Sequence, residues 1–307
     1  MKPPRHPGSA KRYPGSGHKL PRFHAHFIGT IFAIVLLLVQ LGLPSPTSAE
    51  ELVKFSSAAF PSRQADGAPG GNGPSLTRRA EKPDVQGYLT RPKGAGPFPA
   101  VVLLHSCLGL PANRRAIGST IAGWGYVALF VDDFATRGLR ETCAVDFPEG
   151  LADAFGALAF ASKLPYVDPA RIAAVGYSQG ADTALAIASS RFAAFAFPRD
   201  LKYRAVAAFY PPCANRAGAG LTIPTLILVG ELDDVTPKAD CERLVRNQPS
   251  SRADVKLVVY PGAHHLFDDP SYAAGKRLFG MLLKYDRSAA ERSRSDLRDF
   301  LAARLAP

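Results

Sequence analysis

One short stretch of the sequence places a nucleophilic side chain between glycines at a fixed spacing, Gly176-Tyr177-Ser178-Gln179-Gly180. The apolar residues 172–175 before it are typical of a buried strand, and residues 181–189 after it are typical of a helix. A serine at such a strand–turn–helix corner has an exposed hydroxyl, and the glycines remove Cβ atoms that would otherwise clash. The pattern predicts a nucleophile elbow with Ser178 at its tip. The alternative is a glycine-lined turn between two core elements.

Three histidines are candidates for the base, because a serine hydroxyl attacks only when a neighbouring group takes its proton. The chain has seven histidines, four of them in the first 49 residues, which leaves His105, His264 and His265. At a nucleophile elbow the order along the chain is nucleophile, acid, base, and this excludes His105. The other two follow the apolar residues 255–259, and we expect one of them to reach Ser178.

The acid that orients this histidine is expected just after the apolar residues 225–229, where the chain reads Gly230-Glu-Leu-Asp233-Asp234. Either aspartate is placed to reach the base across the edge of the sheet. One of the two could instead cap the helix that starts at Pro237. The residues alone therefore leave the choice between Asp233 and Asp234 open.

Two backbone N–H groups are predicted to bind the oxyanion of a tetrahedral intermediate. One belongs to Gln179, next to the nucleophile, and the other to Cys107, in the loop after residues 100–104. The thiol of Cys107 has no evident base beside it, so we assign the sulfur no catalytic role. Neighbouring histidines without a third ligand make a poor metal site, and we expect neither a metal nor a cofactor.

The first 49 residues have the composition of an export signal. They contain six Lys or Arg, no Asp or Glu, an uncharged apolar run over residues 27–43 and small residues ending at Ala49. This order predicts a signal peptide cleaved after Ala49, so that residues 50–307 are periplasmic or secreted. Because an apolar run of about 17 residues is near the lower limit for a bilayer span, an uncleaved inner-membrane anchor facing outward is the alternative.

The charge distribution argues against a nucleic-acid partner. Without the six cations of residues 1–49 the formal net charge falls from +11 to +5. The basic residues near the C terminus alternate with acidic ones, as on a solvated helix face.

All four cysteines lie in the part of the chain that we expect to be exported, where disulfides form. From the expected adjacency of their loops, we predict that Cys107 pairs with Cys143 and Cys213 with Cys241. Free buried thiols are the alternative.

Apolar runs alternate with helical patterns through residues 50–307, which suits one α/β domain. Antiparallel strands are predicted at 52–55 and 84–89, joined by a Gly/Pro-rich loop at 61–74. Continuous apolar runs predict parallel strands buried on both faces, at 100–104, 126–131, 172–175, 205–209, 225–229 and 255–259. Helices are predicted at 113–122, 149–162, 181–189, 237–246, 272–284 and 289–305. The fold class is α/β, a doubly wound, mostly parallel sheet with helices on both faces.

Several segments together resemble the dienelactone hydrolase family of α/β hydrolases. They are Gly96-Pro-Phe-Pro-Ala-Val-Val-Leu-Leu-His105 with the following Cys-Leu-Gly, Asp133-Phe-Ala-Thr-Arg137, the elbow, Gly230-Glu-x-Asp233 with Pro237, and Tyr260-Pro-Gly-Ala-x-His265-x-Phe267. The match runs from about residue 53 to residue 283. The resemblance implies an α/β-hydrolase fold, with Asp233 as the acid and His265 as the base.

The chain departs from the family pattern at three positions. The type member has a cysteine nucleophile where this chain has Ser178, which implies ordinary ester chemistry through a Ser-His-Asp triad. Ser106 stands where the type member has a glutamate. Of two arginines that bind a substrate carboxylate in the type member, one is replaced by Asp269, and Arg137 matches the other.

Arg137 is accordingly expected either to bind substrate or to pair with Asp132 or Asp133. Taken together, the residues and the resemblance predict an exported serine hydrolase that cleaves a small carboxylic ester or lactone through an acyl-enzyme on Ser178. A peptidase or an acyltransferase would use the same triad on the same fold. A non-catalytic, membrane-tethered binding protein is the alternative from another class.

Overall fold

The computed structural model of the protein describes residues 49–58, 84–145, 147, 149–190, 201–218, 220–249 and 253–306. The apolar run at 27–43 and the loop predicted at 61–74 lie outside this part of the chain. Among the described residues, no helix is both long enough and apolar enough to cross a membrane.

In the part of the chain that the structure describes, eight strands form one sheet in the order β1-β2-β4-β3-β5-β6-β7-β8. The first two strands pair antiparallel, β2 also pairs antiparallel with β4, and every other neighbouring pair is parallel. All eight predicted strands are confirmed, and β5 begins earlier than predicted, at Val167. Their bounds are β1 Glu51–Ser56, β2 Asp84–Thr90, β3 Phe98–Leu104, β4 Val127–Asp132, β5 Val167–Tyr177, β6 Ala205–Phe209, β7 Thr225–Gly230 and β8 Val255–Tyr260.

Helices cover both faces of this sheet. In β3, Val102 and Leu104 face one layer and Val101 and Leu103 face the other, and all four side chains are buried. A strand covered on both sides has no solvent-facing position, which explains why these strands are continuous apolar runs. The doubly wound architecture is therefore confirmed. One layer holds α2 (Glu149–Ala161), α3 (Gln179–Ala188) and α4 (Lys238–Arg246), and the other holds α1 (Arg114–Gly123) and α5 (Arg287–Arg304).

The helix predicted at 272–284 is wrong. A short 3-10 helix (Pro270–Tyr272) is followed by a two-stranded hairpin, β9 (Lys276–Leu278) and β10 (Met281–Leu283). Phe279 and Gly280 at the turn both have positive φ, 49° and 84°, as a two-residue hairpin turn requires and a helix excludes. The glycines at 275 and 280 were a signal against the helix, since glycine destabilises a helix interior.

The parallel strands bring four loops to one edge of the sheet. Strands β3, β5, β7 and β8 all run in the same direction, so the residues that follow their carboxyl ends lie side by side. These are the loops that carry Cys107, Ser178, Asp233 and His265. This edge therefore gathers the side chains that the sequence singles out for chemistry.

Candidate active site

Ser178 lies in the sharp turn between β5 and α3. Its backbone has φ 53° and ψ −111°, a region that residues with a side chain rarely adopt. A Cβ atom on Gly176 would lie 2.1 Å from the carbonyl oxygen of Gly180, and one on Gly180 would lie 2.3 Å from that of Leu104. Both glycines are thus required for the strand and the helix to approach, and the strand–turn–helix geometry of the predicted elbow is present.

A continuous hydrogen-bonded chain joins Ser178, His265 and Asp233. Nε2 of the histidine is 3.0 Å from the serine Oγ, and Nδ1 is 2.8 Å from Oδ2 of the aspartate. A carboxylate only accepts hydrogen bonds, so Nδ1 carries the proton and Nε2 accepts from the serine hydroxyl. The histidine and the aspartate are 3% and 5% exposed. The structure brings together the three residues named from the sequence, and their roles remain predictions.

The hairpin holds the loop that carries His265. This histidine forms a parallel β-bridge with Leu283, and its carbonyl oxygen accepts from the backbone N–H of Lys284 at 3.1 Å. The backbone N–H of Asp286 donates to the carbonyl oxygen of Phe267 at 2.9 Å. The segment mistaken for a helix is thus what fixes the loop of the candidate base.

The two neighbouring aspartates have different partners. Oδ1 of Asp233 accepts from the backbone N–H groups of Val235 and Thr236, and Oδ2 accepts from the Thr236 hydroxyl at 3.0 Å. Asp234 points elsewhere and accepts from the backbone N–H of Leu282, in the hairpin, at 3.1 Å. Sequence reasoning missed Thr236, although a threonine three residues after an aspartate at the start of a turn was a usable signal.

Tyr210 is a further residue that sequence reasoning missed. It directly follows β6, at the same edge of the sheet, and its ring centroid is 4.6 Å from that of His265. Its hydroxyl donates to Oδ1 of Asp268 at 2.7 Å. Burial raises the pKa of the Asp268 carboxyl to about 6, and the tyrosine hydrogen bond partly offsets this effect.

Two adjoining cavities open beside Ser178. The cavity that contains both Ser178 and His265 has a volume of about 90 Å³ and is lined by Cys107, Cys143 and residues of the hairpin. The second, of about 210 Å³, is lined largely by apolar side chains and includes Tyr177 and Tyr210. Three lining residues belong to both cavities, Ser106, Leu108 and Leu266.

Both predicted disulfides are confirmed. Cys107 is bonded to Cys143 at the cavity of Ser178, and Cys213 is bonded to Cys241 in α4. Gln179 is the first residue of α3, so its backbone N–H has no partner within the helix. Cys107 lines the cavity of Ser178, and the oxyanion role of Cys107 and Gln179 remains a prediction.

Arg137 forms an ion pair with Asp153 rather than with Asp132 or Asp133. The pair is bidentate, with distances of 2.8 and 2.9 Å, and Asp153 also accepts from the hydroxyl of Ser57. The guanidinium reaches Asp133 only at its backbone oxygen. Burial and the charge of Asp153 raise the pKa of the Asp133 carboxyl well above its usual range. Arg137 lines neither of the two cavities, and a role in binding substrate stays a prediction.

His105 is a buried and neutral side chain. Its Nδ1 donates to the carbonyl oxygen of Ser106 at 2.8 Å, and its Nε2 accepts from the backbone N–H of Asp133. Burial lowers the pKa of this imidazole. Within the described part of the chain, no group of three or more His, Cys, Asp or Glu side chains is arranged to hold a metal ion.

Comparisons with known proteins agree with this architecture. The chain is 25% identical over 250 residues to Cutinase 1 of Thermobifida cellulosilytica, covering 79% of this chain and 85% of that one. It is 24% identical over 212 residues to a putative carboxymethylenebutenolidase of Synechocystis, covering 60% and 81% of the two chains.

Solved structures show the same fold. A putative dienelactone hydrolase from Klebsiella pneumoniae superposes with a TM-score of 0.59 at 20% identity, covering 83% of this chain and 99% of that one. An esterase from Thermogutta terrifontis superposes with a TM-score of 0.55 at 21% identity, covering 73% and 90%. The sequence model of the Dienelactone hydrolase family matches residues 85–305, which is most of the chain. The chain therefore belongs to the dienelactone hydrolase family and has its α/β-hydrolase fold.

Proposed function

We propose that the protein is a serine hydrolase that cleaves a small carboxylic ester or lactone through an acyl-enzyme intermediate on Ser178. The observation that carries this proposal is the hydrogen-bonded chain from Ser178 through His265 to Asp233, with links of 3.0 and 2.8 Å. Ester substrates are supported by relatives that are named as a cutinase and as a putative carboxymethylenebutenolidase, and by a structural neighbour described as an esterase.

Acylation begins when the serine Oγ attacks the ester carbonyl carbon and its proton moves to Nε2 of His265. The negative oxygen of the tetrahedral intermediate accepts from the backbone N–H groups of Cys107 and Gln179. Asp233 keeps the imidazole in the required tautomer and stabilises the imidazolium. As the intermediate collapses, the bond to the alcohol oxygen breaks, and that oxygen takes the proton from Nε2.

Deacylation repeats these steps with water. His265 takes a proton from the water as its oxygen attacks the acyl carbon, and the same two N–H groups bind the new oxyanion. When the bond to the serine Oγ breaks, this oxygen recovers its proton from the histidine and the carboxylic acid leaves. No other reactant is consumed, so the balance is ester plus water to acid plus alcohol.

The cavities support a small and largely uncharged substrate. The volumes of about 90 and 210 Å³ leave room for short acyl and alcohol groups. The side chains around the larger cavity include Leu110, Pro111, Ile117 and Tyr272, and the acidic side chain among its lining residues is Asp269. An apolar wall with a carboxylate favours neutral esters over anionic ones.

We also propose that residues 50–307 act outside the cytoplasm. The support is the composition of residues 1–49, with basic, apolar and small-residue regions in the order of a signal peptide. The two disulfides agree with an oxidising compartment. N-terminal sequencing of the protein recovered from culture medium or periplasm tests this, and a first residue of Glu50 is the expected result.

A fluorophosphonate probe tests the chemistry, because it phosphonylates an activated serine. We expect the purified protein to be labelled, Ser178→Ala to lose the label, and His265→Ala to lose most of it. His264→Ala is the matched control and should label like the wild type. Folded protein that is not labelled, or that is labelled equally without Ser178, would contradict the proposal. Hydrolysis rates on an ester and on its matched amide then separate an esterase from a peptidase.

A further inference from the structure

We propose that residues 141–143 form a clamp that positions both oxyanion donors, Cys107 and Gln179. The inference rests on the proposed function, since it gives a role to the surroundings of the same site. The two donors come from different loops, one after β3 and the other after β5. The clamp contacts both of them, and in doing so it sets their separation.

The clamp holds Cys107 through two links. The disulfide to Cys143 fixes its side chain, and the backbone N–H of Thr142 donates to its carbonyl oxygen at 2.9 Å. Within the clamp, the Glu141 carboxylate accepts from the backbone N–H of Cys143 at 3.0 Å. With its side chain and its carbonyl group both held, the backbone of Cys107 has little freedom to rotate.

The same clamp holds Gln179 through its side chain. The hydroxyl of Thr142 donates to Oε1 of Gln179 at 2.8 Å. The proposed donor N–H and this anchored amide belong to one residue, so the hydrogen bond restrains the start of α3 at the oxyanion site. Thr142 therefore contacts one donor through its backbone and the other through its hydroxyl.

The burial of Thr142 within a largely exposed loop indicates that these contacts are specific. Residues 138–145 form neither helix nor strand, and Val145 is 62% exposed. Thr142 in the same loop is only 3% exposed. Oxyanion donors stabilise the transition state only if they already point at the developing charge. The loop that carries Thr142 has no regular structure, so it can hold the two donors in place only through anchored contacts of this kind.

The clamp acts on the transition state, which defines its kinetic signature. Loosening the donors weakens binding of the oxyanion but not of the ester, so kcat falls and KM stays nearly constant. The base is not touched, so the pH midpoint of kcat stays where it is in the wild type. A general loss of stability would leave kcat of the folded fraction unchanged.

The first experiment compares Thr142→Val, Thr142→Ser and the wild type in ester hydrolysis. Valine keeps the shape and loses the hydroxyl, and we expect kcat to fall by about 10-fold or more with KM within about twofold. Serine keeps the hydroxyl and should restore kcat to within about threefold of the wild type. Thr225→Val is the control, because this buried hydroxyl donates to the carbonyl oxygen of Ile223 at the opposite edge of the sheet.

A second pair of variants tests the covalent link. Cys107→Ser with Cys143→Ser removes the disulfide of the clamp, and we expect kcat to fall by about 10-fold or more with the same KM. Cys213→Ser with Cys241→Ser removes the other disulfide, which lines neither cavity, and should lower only the melting temperature. If Thr142→Val does not fold, this comparison decides the inference alone.

The outcomes separate the two proposals. A folded Thr142→Val protein with the kcat of the wild type would overturn the clamp, as would an equal loss of kcat in Thr225→Val. A serine variant that does not recover kcat would also overturn it. If one of these results overturns the clamp but Ser178 of the wild type is labelled by the fluorophosphonate probe, the proposed function stands without the clamp. If it is not labelled, both proposals fail.

Discussion

The ring of Tyr210 packs against the imidazole of His265, with 4.6 Å between the ring centroids. The tyrosine is 1% exposed and has a φ of 41°, so the end of β6 is strained to place this ring. The contact fixes the plane of the imidazole, while Asp233 fixes its rotation through a hydrogen bond to Nδ1. We therefore expect Tyr210 to act as a positioning residue for the candidate base.

Removing the ring should therefore reduce kcat more than removing the hydroxyl. We expect Tyr210→Leu to lower kcat by about 10-fold or more, since the imidazole loses one of its two supports. Tyr210→Phe keeps the packing and should retain kcat to within about threefold, while the lost hydrogen bond to Asp268 costs about 1–2 kcal/mol of stability. Steady-state kinetics and urea denaturation measure the two effects. Equal kcat values in the two variants would show that the ring has no positioning role.

Asp268 should make the stability depend on pH. Burial raises its pKa to about 6 in the folded protein, so between about pH 4 and pH 6 the folded state keeps a proton that the unfolded state has released. The stabilisation is complete below this range and is lost as pH rises through about 6. A shift of about two pKa units corresponds to about 3 kcal/mol.

Asp268→Asn should remove this contribution. We expect the fall in unfolding free energy between pH 4.5 and pH 7 to be smaller than in the wild type by about 2 kcal/mol. Other buried carboxyls, such as Asp133, contribute equally to both proteins and cancel in the comparison. Asp299→Asn, on the exposed face of α5, is the control and should leave the wild-type difference intact. An unchanged pH dependence in Asp268→Asn would contradict the assigned pKa.

The adjacent aspartates Asp233 and Asp234 should differ sharply in their effect on catalysis. Asp233→Asn leaves His265 without a carboxylate at Nδ1 and favours the wrong tautomer, so kcat should fall by about 10⁴-fold. Asp234→Asn weakens a hydrogen bond to the hairpin at Leu282 and should change kcat by less than about tenfold. Steady-state measurement of kcat for the two variants decides which aspartate is the acid. A larger loss in Asp234→Asn would reverse the assignment of the acid.

Replacing Arg137 should affect stability rather than substrate selection. The Asp153 side chain is fully buried, so Arg137→Met leaves an unpaired charge and should cost about 3–5 kcal/mol. Arg137→Met combined with Asp153→Asn should recover part of this loss. Arg243→Met breaks an exposed pair with Asp240 and should cost less than about 1 kcal/mol. If Arg137 binds substrate, the single variant would instead raise KM for an anionic ester more than for a neutral one.

Local patterns in the sequence were enough to predict the sheet and the turn that carries Ser178. A strand buried on both faces must be apolar throughout, so each parallel strand is visible as a run, such as residues 225–229. The elbow is visible in a five-residue pattern, although only Gly176 is required by a near neighbour in sequence, Gly180, while Gly180 is required by Leu104 of β3. The cysteine pairs followed from which loops share an edge. The acid and the base were open from the residues alone, and the family resemblance selected Asp233 and His265.

Tertiary structure decided the features that depend on partners distant in the chain. Residues 272–284 have helical periodicity, but positive φ at Phe279 and Gly280 and the pairing of Leu283 with His265 make them a hairpin. Asp153 is the partner of Arg137 because α2 packs on the sheet beside that loop, which no local pattern records. The support of the imidazole by Tyr210 has the same origin. Short-range sequence specifies most of the elements and which side chains can react, whereas packing between elements specifies which of those side chains meet and can override a local preference, as at residues 272–284.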